Sequence, residues 1–428
     1  MPTIADWAQW AEQRIGAVVV GEGLGAQLVG VVQGPLTLTY QIRLLQPSAA
    51  ALRRLLTLGP VLAAALRVDA VRVAQGAGVV AIEVPSPQQR TPTAQELAEH
   101  TRGVVAAAGL DAQRRPAAVD LAAHGALLLV GPSRRGKTQA LRAILYGLTR
   151  ANRPAGLRYV IVSQKAGDWA DFGQAAPCLA LVADPGEAGQ ALQWVIQLME
   201  RRAADGGRRP AVIVVVDDLI ALLGAAPALA DQLATLASMG AGLGIHTLLA
   251  TQDGGTRRGS GSALEANCTA RILFRASSAT AAARAAGMGG AGVEGLSTAR
   301  GDALLIVDGE CTRIACGYAP IGSLLLAAGC GQVAPWAAQP ADNRAQPVAT
   351  AVDTLPMSSQ TAQDGEGPAA VAAVAWPIER RPPTAEEAAE LARLHAAGES
   401  LSSLCRMAWG HKDGATWGWL RAAIQSHS

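Results

Sequence analysis

The sequence lacks the marks of a membrane-spanning or secreted protein. Its apolar runs, such as those at 126–130 and 211–216, are far shorter than the roughly 20 residues that cross a bilayer. Residues 1–16 carry acidic side chains and tryptophans, whereas a secretion signal has a basic segment followed by an apolar one. We therefore expect a cytoplasmic protein without a transmembrane helix.

Paired cysteines, a strong net charge and aromatic residues are also missing or scarce. The six cysteines are scattered without the spacing of zinc or redox motifs, so we expect them to be reduced and structural. A formal net charge of +2 is too small to indicate a nucleic-acid partner for the whole chain. Any DNA binding must come from local patches or from an assembled ring. Aromatic residues make up only 4% of the chain, and alanine and glycine dominate it, so periodicity is weaker evidence for helices and strands than usual.

What the sequence does contain is enough material for several domains, since 428 residues indicate two or three. Residues 1–100 begin with an amphipathic segment. Alternating apolar runs at 34–44 and 71–85 then flank a helical pattern at 51–68. This order predicts a small α+β domain.

A second region, residues 101–331, alternates short apolar runs with helical segments. A polar stretch at 93–108 leads into it, and we expect that stretch to be helical. Buried strands are predicted near 126–130, 158–163, 179–183, 211–216, 246–251, 271–275 and 303–307. Apolar runs that alternate with helices indicate a mostly parallel sheet covered on both faces, which is the α/β fold class.

The rest of the chain changes character twice. Residues 332–383 are rich in Ala, Gln, Pro, Asp and Gly without a periodic pattern, which predicts a flexible linker. Residues 384–428 regain a helical pattern in three short segments, the first with a capping box at Thr384. They predict a helix-turn-helix-like bundle in which Lys412 and Arg421 would contact DNA. A protein-docking bundle is the alternative.

The clearest motif lies directly after the run at 126–130, where the sequence reads GPSRRGKT and a helix-like segment follows. It matches G-x-x-x-x-G-K-[ST], whose glycines let successive backbone N–H groups face phosphate at a helix N-terminus. Lys137 is expected to reach the β- and γ-phosphates of ATP, and the Thr138 hydroxyl to bind Mg²⁺. The residues predicted to bind nucleotide are Gly131, Pro132, Ser133, Arg134, Arg135, Gly136, Lys137 and Thr138.

Two acidic residues follow the run at 211–216, at the point where that strand should end. We expect Asp217 to hold the Mg²⁺ ion through water and Asp218 to orient the water that attacks the γ-phosphate. The alternative for Asp218 is that it only caps the next helix.

Other polar residues lie at the ends of two further strands. Gln252 follows IHTLLAT, where an amide is suited to sensing the γ-phosphate. Arg271 and Arg275 lie at opposite ends of the predicted strand at 271–275. We interpret Arg271 as an arginine aimed at a neighbouring subunit's nucleotide, with an ordinary surface arginine as the alternative.

Together these motifs resemble the FtsK/SpoIIIE family of hexameric double-stranded DNA translocases over roughly residues 30–320. The likeness includes GPLTLTYQIRL, a strand closing in EVP, Lys165 in VSQKAGDW, and the segments GIHTLLATQ, ANCTARILFR and RGDALLI, all in the family's order. The resemblance implies a RecA-like P-loop motor preceded by a small domain like the family's alpha domain. It also implies ATP hydrolysis with Mg²⁺ and work on double-stranded DNA as a homohexamer.

The chain departs from the family's usual motifs within the expected site. The family usually has Ser-Gly-Lys-Ser where this sequence has Arg135 to Thr138, and Asp-Glu where it has Asp217 and Asp218. A shorter carboxylate at 218 could slow hydrolysis. The stretch at 203–210 is also short for a loop that would face DNA.

A second expected DNA loop, residues 253–267, carries Arg257 and Arg258 on a glycine-rich stretch. These side chains would grip phosphate without reading sequence, and an ordinary solvated loop is the alternative. The family's membrane-anchoring region has no counterpart in the sequence, so we expect a soluble motor.

Three functions remain open at this point. The leading hypothesis is an ATP-driven translocase on double-stranded DNA. A protein-export ATPase is the second, because related motor domains also drive secretion. The third is a nucleotide-gated DNA-binding regulator that hydrolyses ATP slowly.

Overall fold

The computed structural model describes residues 3–76, 78–153, 155–252, 260–276, 278–287 and 292–324, together with a few positions between 383 and 424. The chain divides into two compact units, Met1–Gln346 and Pro347–Ser428. The residues expected to contact DNA, Arg257, Arg258, Lys412 and Arg421, lie outside the described residues, as does most of the predicted linker and helix-turn-helix segment.

The first unit contains two sheets, of which the smaller has four antiparallel strands in the order β1-β2-β4-β3. Its strands are β1 Ala26–Gln33, β2 Thr37–Leu44, β3 Arg72–Gln75 and β4 Val80–Pro85, and its helices are α1 Ile4–Gly21, α2 Ala49–Leu56 and α3 Gly59–Leu66. Apolar residues of the helices and strands share one buried cluster, with Ile15, Leu62 and Ile82 among its members. The segment 51–68, which was predicted to be one helix, contains parts of two helices. The second helix begins at Gly59 and Pro60.

The larger sheet has ten strands in the order β6-β5-β14-β13-β12-β7-β11-β10-β8-β9. They are β5 Val105–Leu110, β6 Pro116–Asp120, β7 Ala126–Val130, β8 Leu157–Ser163, β9 Cys178–Val182, β10 Ala211–Asp217, β11 Ile245–Thr251, β12 Ala270–Phe274, β13 Asp302–Val307 and β14 Glu310–Cys316. The strands from β12 to β9 are parallel, and the other four join them antiparallel. All seven predicted strands are present, and their first and last residues differ from the predicted ones by at most one position. The predicted α/β fold class is confirmed.

Helices cover both faces of this sheet. They are α4 Ala94–Ala98, α5 Leu121–His124, α6 Lys137–Ala151, α7 Ala170–Gly173, α8 Pro185–Asp205, α9 Leu219–Ala225, α10 Leu229–Met239, α11 Ser260–Ala266 and α12 Ala279–Ala286. One buried cluster joins α6 to one face of the strands, and a second joins α8 and α10 to the opposite face. Every residue of β7, β10 and β11 is therefore buried, which explains their continuous apolar sequences.

One sequence-based expectation for this region is wrong. Residues 93–108 were expected to be helical, but only Ala94–Ala98 form a helix, and Val105–Leu110 form β5. The sequence VAAAGL has no period that separates a strand from a helix, and its pairing with β6 and β14 decides the outcome. Among the described residues no single helix is long and apolar enough to cross a bilayer; α2 and α3 satisfy those criteria only as a pair, bent by 47°.

Candidate nucleotide-binding site

The predicted phosphate loop connects β7, in the middle of the large sheet, to the start of α6. Gly131 donates a backbone hydrogen bond to Thr251 at the end of β11. Gly136 has φ of 105°, and a Cβ atom there would lie 3.2 Å from the backbone nitrogen of Gly301. Glycine is therefore suited to this position both by its backbone conformation and by the space available.

Lys137 begins α6, and its ammonium group folds back over the loop. Its Nζ donates to the carbonyl oxygens of Gly131 at 2.7 Å and Pro132 at 3.0 Å. The unpaired N–H groups at the start of the same helix point out of its N-terminus, where the helix dipole favours an anion. Burial lowers the pKa of Lys137, while Asp217 and Asp218 oppose that shift. The Lys137 ammonium group and the N-terminus of α6 therefore place positive charge on one side of the loop, where a phosphate group can bind.

Thr138 and Asp217 join the phosphate loop to the end of β10. The Thr138 hydroxyl lies 3.1 Å and 3.0 Å from the two carboxylate oxygens of Asp217. Both side chains present hard oxygen atoms, the ligand type that Mg²⁺ prefers, so this pair fits the metal expected here. No cluster of three or more His, Cys, Asp or Glu side chains suited to a metal occurs among the described residues. Mg²⁺ held by few protein groups and by phosphate is consistent with this arrangement.

Asp217 is only 7% exposed and has a further partner, Trp169, which belongs to neither of the two motifs. The indole Nε1 of Trp169 donates to Asp217 Oδ2 at 3.3 Å. Burial raises the pKa of Asp217, whereas the hydrogen bonds from Thr138 and Trp169 act in the opposite direction. The indole therefore helps to hold and orient a carboxylate that has been taken out of water.

Asp218 lies beside Gln252, and so the ends of β10 and β11 meet. The Gln252 amide nitrogen is 3.3 Å and 3.5 Å from the two Asp218 carboxylate oxygens. Asp218 has φ of 71°, a left-handed conformation that aspartate tolerates better than most residues. It precedes α9, but its side chain makes no capping hydrogen bond. The capping alternative therefore does not describe its side chain.

These residues line one cleft of about 570 Å³ at the carboxyl edge of the parallel strands. Ligands of open α/β sheets typically bind at this edge. The lining residues are Ser133, Arg134, Gly136, Lys137, Thr138, Gln139, Lys165, Asp217, Asp218, Gln252 and Arg300. Two cations in this set, Lys165 and Arg300, had no role assigned from the sequence. The signal for Lys165 was available, because it follows β8 closely at the same edge of the sheet.

The guanidinium groups of Arg135 and Arg271 bond to backbone carbonyls within this chain. Arg135 belongs to the predicted phosphate loop, where the backbone N–H groups are expected to face phosphate; its side chain bonds elsewhere, because its Nη1 donates to the Thr298 carbonyl at 2.6 Å. Arg271 was expected to reach a neighbouring subunit's nucleotide. Its guanidinium instead donates to the carbonyls of Cys268, Ala285 and Glu265 at 2.8 to 3.0 Å. Arg271 therefore ties α11 and α12 to β12 within its own chain.

Comparison with known proteins gives the same result as the motifs. Residues 93–206 match the model of the FtsK/SpoIIIE family, a region that includes the phosphate loop and ends before Asp217. The chain is 26% identical over 305 residues to a DNA translocase FtsK of Lactiplantibacillus plantarum, covering 63% of this chain and 38% of that protein. It is 24% identical over 307 residues to the DNA translocase SftA of Bacillus subtilis, covering 64% and 32% respectively. The resemblance seen in the motifs is confirmed.

A solved structure of the pCW3 conjugation coupling protein TcpA, a monomer form with ATPγS, is also similar. It is 16% identical to this chain with a TM-score of 0.47, and the match covers 68% of this chain and 89% of that one. The chain spans about a third of the length of the curated relatives described above.

Proposed function

We propose that this chain uses its FtsK/SpoIIIE-type region to hydrolyse ATP and to move double-stranded DNA, working as a ring of six copies. The observation that carries the proposal is the contact between Thr138 and Asp217, which joins the phosphate loop to the acidic end of β10 in one cleft. The similarity to relatives that are named DNA translocases supports DNA as the object that is moved.

Five residues that line the cleft have parts in the proposed reaction. Lys137 and the N-terminus of α6 neutralise charge on the β- and γ-phosphates. Thr138 and Asp217 would hold Mg²⁺, which would neutralise charge on the phosphates. Asp218, fixed by Gln252, orients a water molecule in line with the γ-phosphate and accepts its proton.

DNA binding is proposed from the sequence of two segments. Arg257 and Arg258 lie on a glycine-rich stretch after β11, and Lys412 and Arg421 lie near the end of the chain. Cations on such segments would contact DNA phosphates without reading base sequence. A ring lets several such patches act on one duplex, which compensates for a net charge of only +2 per chain.

The first experiment is ATP hydrolysis by the purified protein with and without linear double-stranded DNA. The Lys137→Ala variant serves as the blank, and Arg153→Ala, an exposed change beyond the far end of α6, is the matched control. We expect stimulation by DNA in the wild type and in the control, with loss of hydrolysis in Lys137→Ala. Hydrolysis that is indifferent to DNA would overturn the translocase and favour the export ATPase.

A second assay separates a motor from a slow DNA-bound regulator. A moving ring displaces a third strand annealed to the duplex in an ATP-dependent manner, whereas a regulator that only binds DNA leaves that strand in place.

The Arg257→Ala/Arg258→Ala variant tests the proposed contacts with DNA phosphates. Because the variant removes about two contacts with DNA phosphates, the slope of log affinity against log salt concentration should become shallower by roughly two.

A further inference from the structure

A short loop after the 3₁₀ turn at 293–295 is held at four points beside the phosphate loop. This segment, residues 297–301, is called the bridge loop below. At its start, Ser297 N–H donates to Asp302 Oδ2 at 2.8 Å, and Thr298 N–H donates to Asp69 Oδ2 at 2.5 Å. Two exchanges with Arg135 complete the set: Arg135 Nη1 donates to the Thr298 carbonyl at 2.6 Å, and Gly301 N–H donates to the Arg135 carbonyl at 3.0 Å.

The bridge loop places Arg300 in the nucleotide cleft. Arg300 lines that cleft and is exposed to it, and its backbone approaches Gly136 directly before the start of α6. Within the part of the chain that the structure describes, the Arg300 guanidinium has no hydrogen bond or ion pair. A guanidinium fork beside the N-terminus of a phosphate-binding helix is suited to two phosphate oxygens.

The bridge loop is also anchored to the small sheet. Asp69, which follows α3, accepts from Arg275 at 3.3 Å as well as from Thr298. Behind it, Arg313 of β14 bridges Asp302 and Glu83 of β4 in a buried network with N···O distances of 2.6 to 3.0 Å. The position of the loop therefore depends on contacts from both sheets.

We propose that Arg300 is a nucleotide-binding residue, and that Asp69 and Arg135 are the positioning residues that hold its loop in the cleft. This inference rests on nucleotide binding by the proposed ATPase. Arg135 stands where the family usually has serine. In this proposal Arg135 holds the bridge loop in place through its side chain, which bonds to the Thr298 carbonyl. It also connects the small sheet physically to the phosphate site.

The test is the affinity for fluorescent ATP and ADP analogues in the presence of Mg²⁺ and without DNA, measured on the full chain. Removing a charge-assisted bond should weaken binding about tenfold in Arg300→Ala. Arg300→Lys should recover part of the loss, because the charge remains while the fork does not. Arg153→Ala should bind as the wild type does. Wild-type affinity in a folded Arg300→Ala variant would overturn the inference.

The positioning role needs a double variant. Asp69→Ala should weaken nucleotide binding by about threefold through a less ordered Arg300, and it should cause little further loss when combined with Arg300→Ala. A purely structural role for Asp69 would instead lower the thermal midpoint and weaken binding equally in both backgrounds, which would contradict the proposal. If the wild type and Lys137→Ala bind nucleotide equally poorly, the proposed ATPase itself fails, and that result is distinct from either outcome.

Discussion

Arg142 and Asp171 form a buried ion pair with two parallel hydrogen bonds of 2.9 Å, behind the nucleotide cleft. Their side chains are 0% and 1% exposed. Arg142 lies in α6, which starts at the phosphate loop, and its guanidinium is 5.8 Å from the ring centroid of Trp169. Trp169 in turn donates to Asp217. The ion pair thus supports the indole that orients a residue of the proposed metal site.

Arg142→Met is expected to lower the free energy of unfolding by about 3–5 kcal/mol, because it leaves the Asp171 carboxylate buried without its charge partner. Urea titration at neutral pH measures the loss. The double variant Arg142→Met/Asp171→Leu should regain a large part of it, since no lone charge remains. A single variant within about 1 kcal/mol of the wild type would show that Gly322 N–H, which also donates to Asp171, is a sufficient partner.

Trp169→Phe should raise the Mg²⁺ concentration needed for half-maximal ATP hydrolysis by about tenfold. Phenylalanine retains the aromatic packing but loses the N–H that donates to Asp217, and outer partners of metal ligands typically contribute 10–100-fold in affinity. Trp194→Phe is the matched control, because Trp194 is a partly buried tryptophan on the opposite face of the sheet. An equal shift in both variants would point to a general loss of packing.

Asp218→Asn should reduce the rate of ATP hydrolysis by about 100-fold or more while leaving nucleotide affinity close to that of the wild type. The change removes the proposed general base, a contribution of roughly 10²–10⁴, but keeps a side chain that Gln252 can hold. Asp308→Asn is the control, since Asp308 has a similar left-handed backbone with φ of 52° in the turn after β13. A normal rate in Asp218→Asn would assign the general base to another residue.

The strands, the phosphate loop and Asp217 were predictable because their signals are local. β7 and β10 are buried on both faces, so their sequences are continuous apolar runs, and the motif residues follow where those runs end. Parallel strands bring these ends to one edge. Proximity of Thr138 to Asp217 therefore follows from strand order, although 79 positions separate them.

The contacts of Arg135 and Arg271 could not be predicted from the sequence. Their partners are backbone carbonyls, and no sequence motif marks those carbonyls. Arg135 bonds to a carbonyl 163 positions away, and an arginine within a phosphate-loop motif gives no sign that it points out of the cleft. Arg271, at one end of a predicted strand, was interpreted as an arginine aimed at a neighbouring subunit's nucleotide, which is how ring motors commonly couple hydrolysis between subunits. Its acceptors in the structure are carbonyls near the ends of α11 and α12. Every residue has a backbone carbonyl, so the sequence does not show which carbonyls accept from a side chain.

His246, the second residue of β11, should make stability depend on pH. It is 2% exposed, its Nδ1 has no hydrogen-bond partner among the described residues, and burial lowers its pKa to about 4 from 6.5. Between those values the unfolded chain binds a proton that the folded chain does not. The stabilisation from a neutral His246 is therefore complete above the unfolded pKa and is lost as the pH falls. From pH 7 to pH 5 this one group should reduce the free energy of unfolding by about 2 kcal/mol.

His246→Gln isolates this contribution, because glutamine retains a polar amide without a titrating group. Urea titrations of the wild type and the variant at both pH values give two differences, and the wild type should lose about 2 kcal/mol more than the variant. His100→Gln, an exposed change after α4, controls for loss of a histidine as such. Equal losses in the wild type and His246→Gln would mean that the imidazole accepts a proton in the folded chain as readily as in the unfolded one. Water would then have to reach the interior of β11, which its fully buried neighbours argue against.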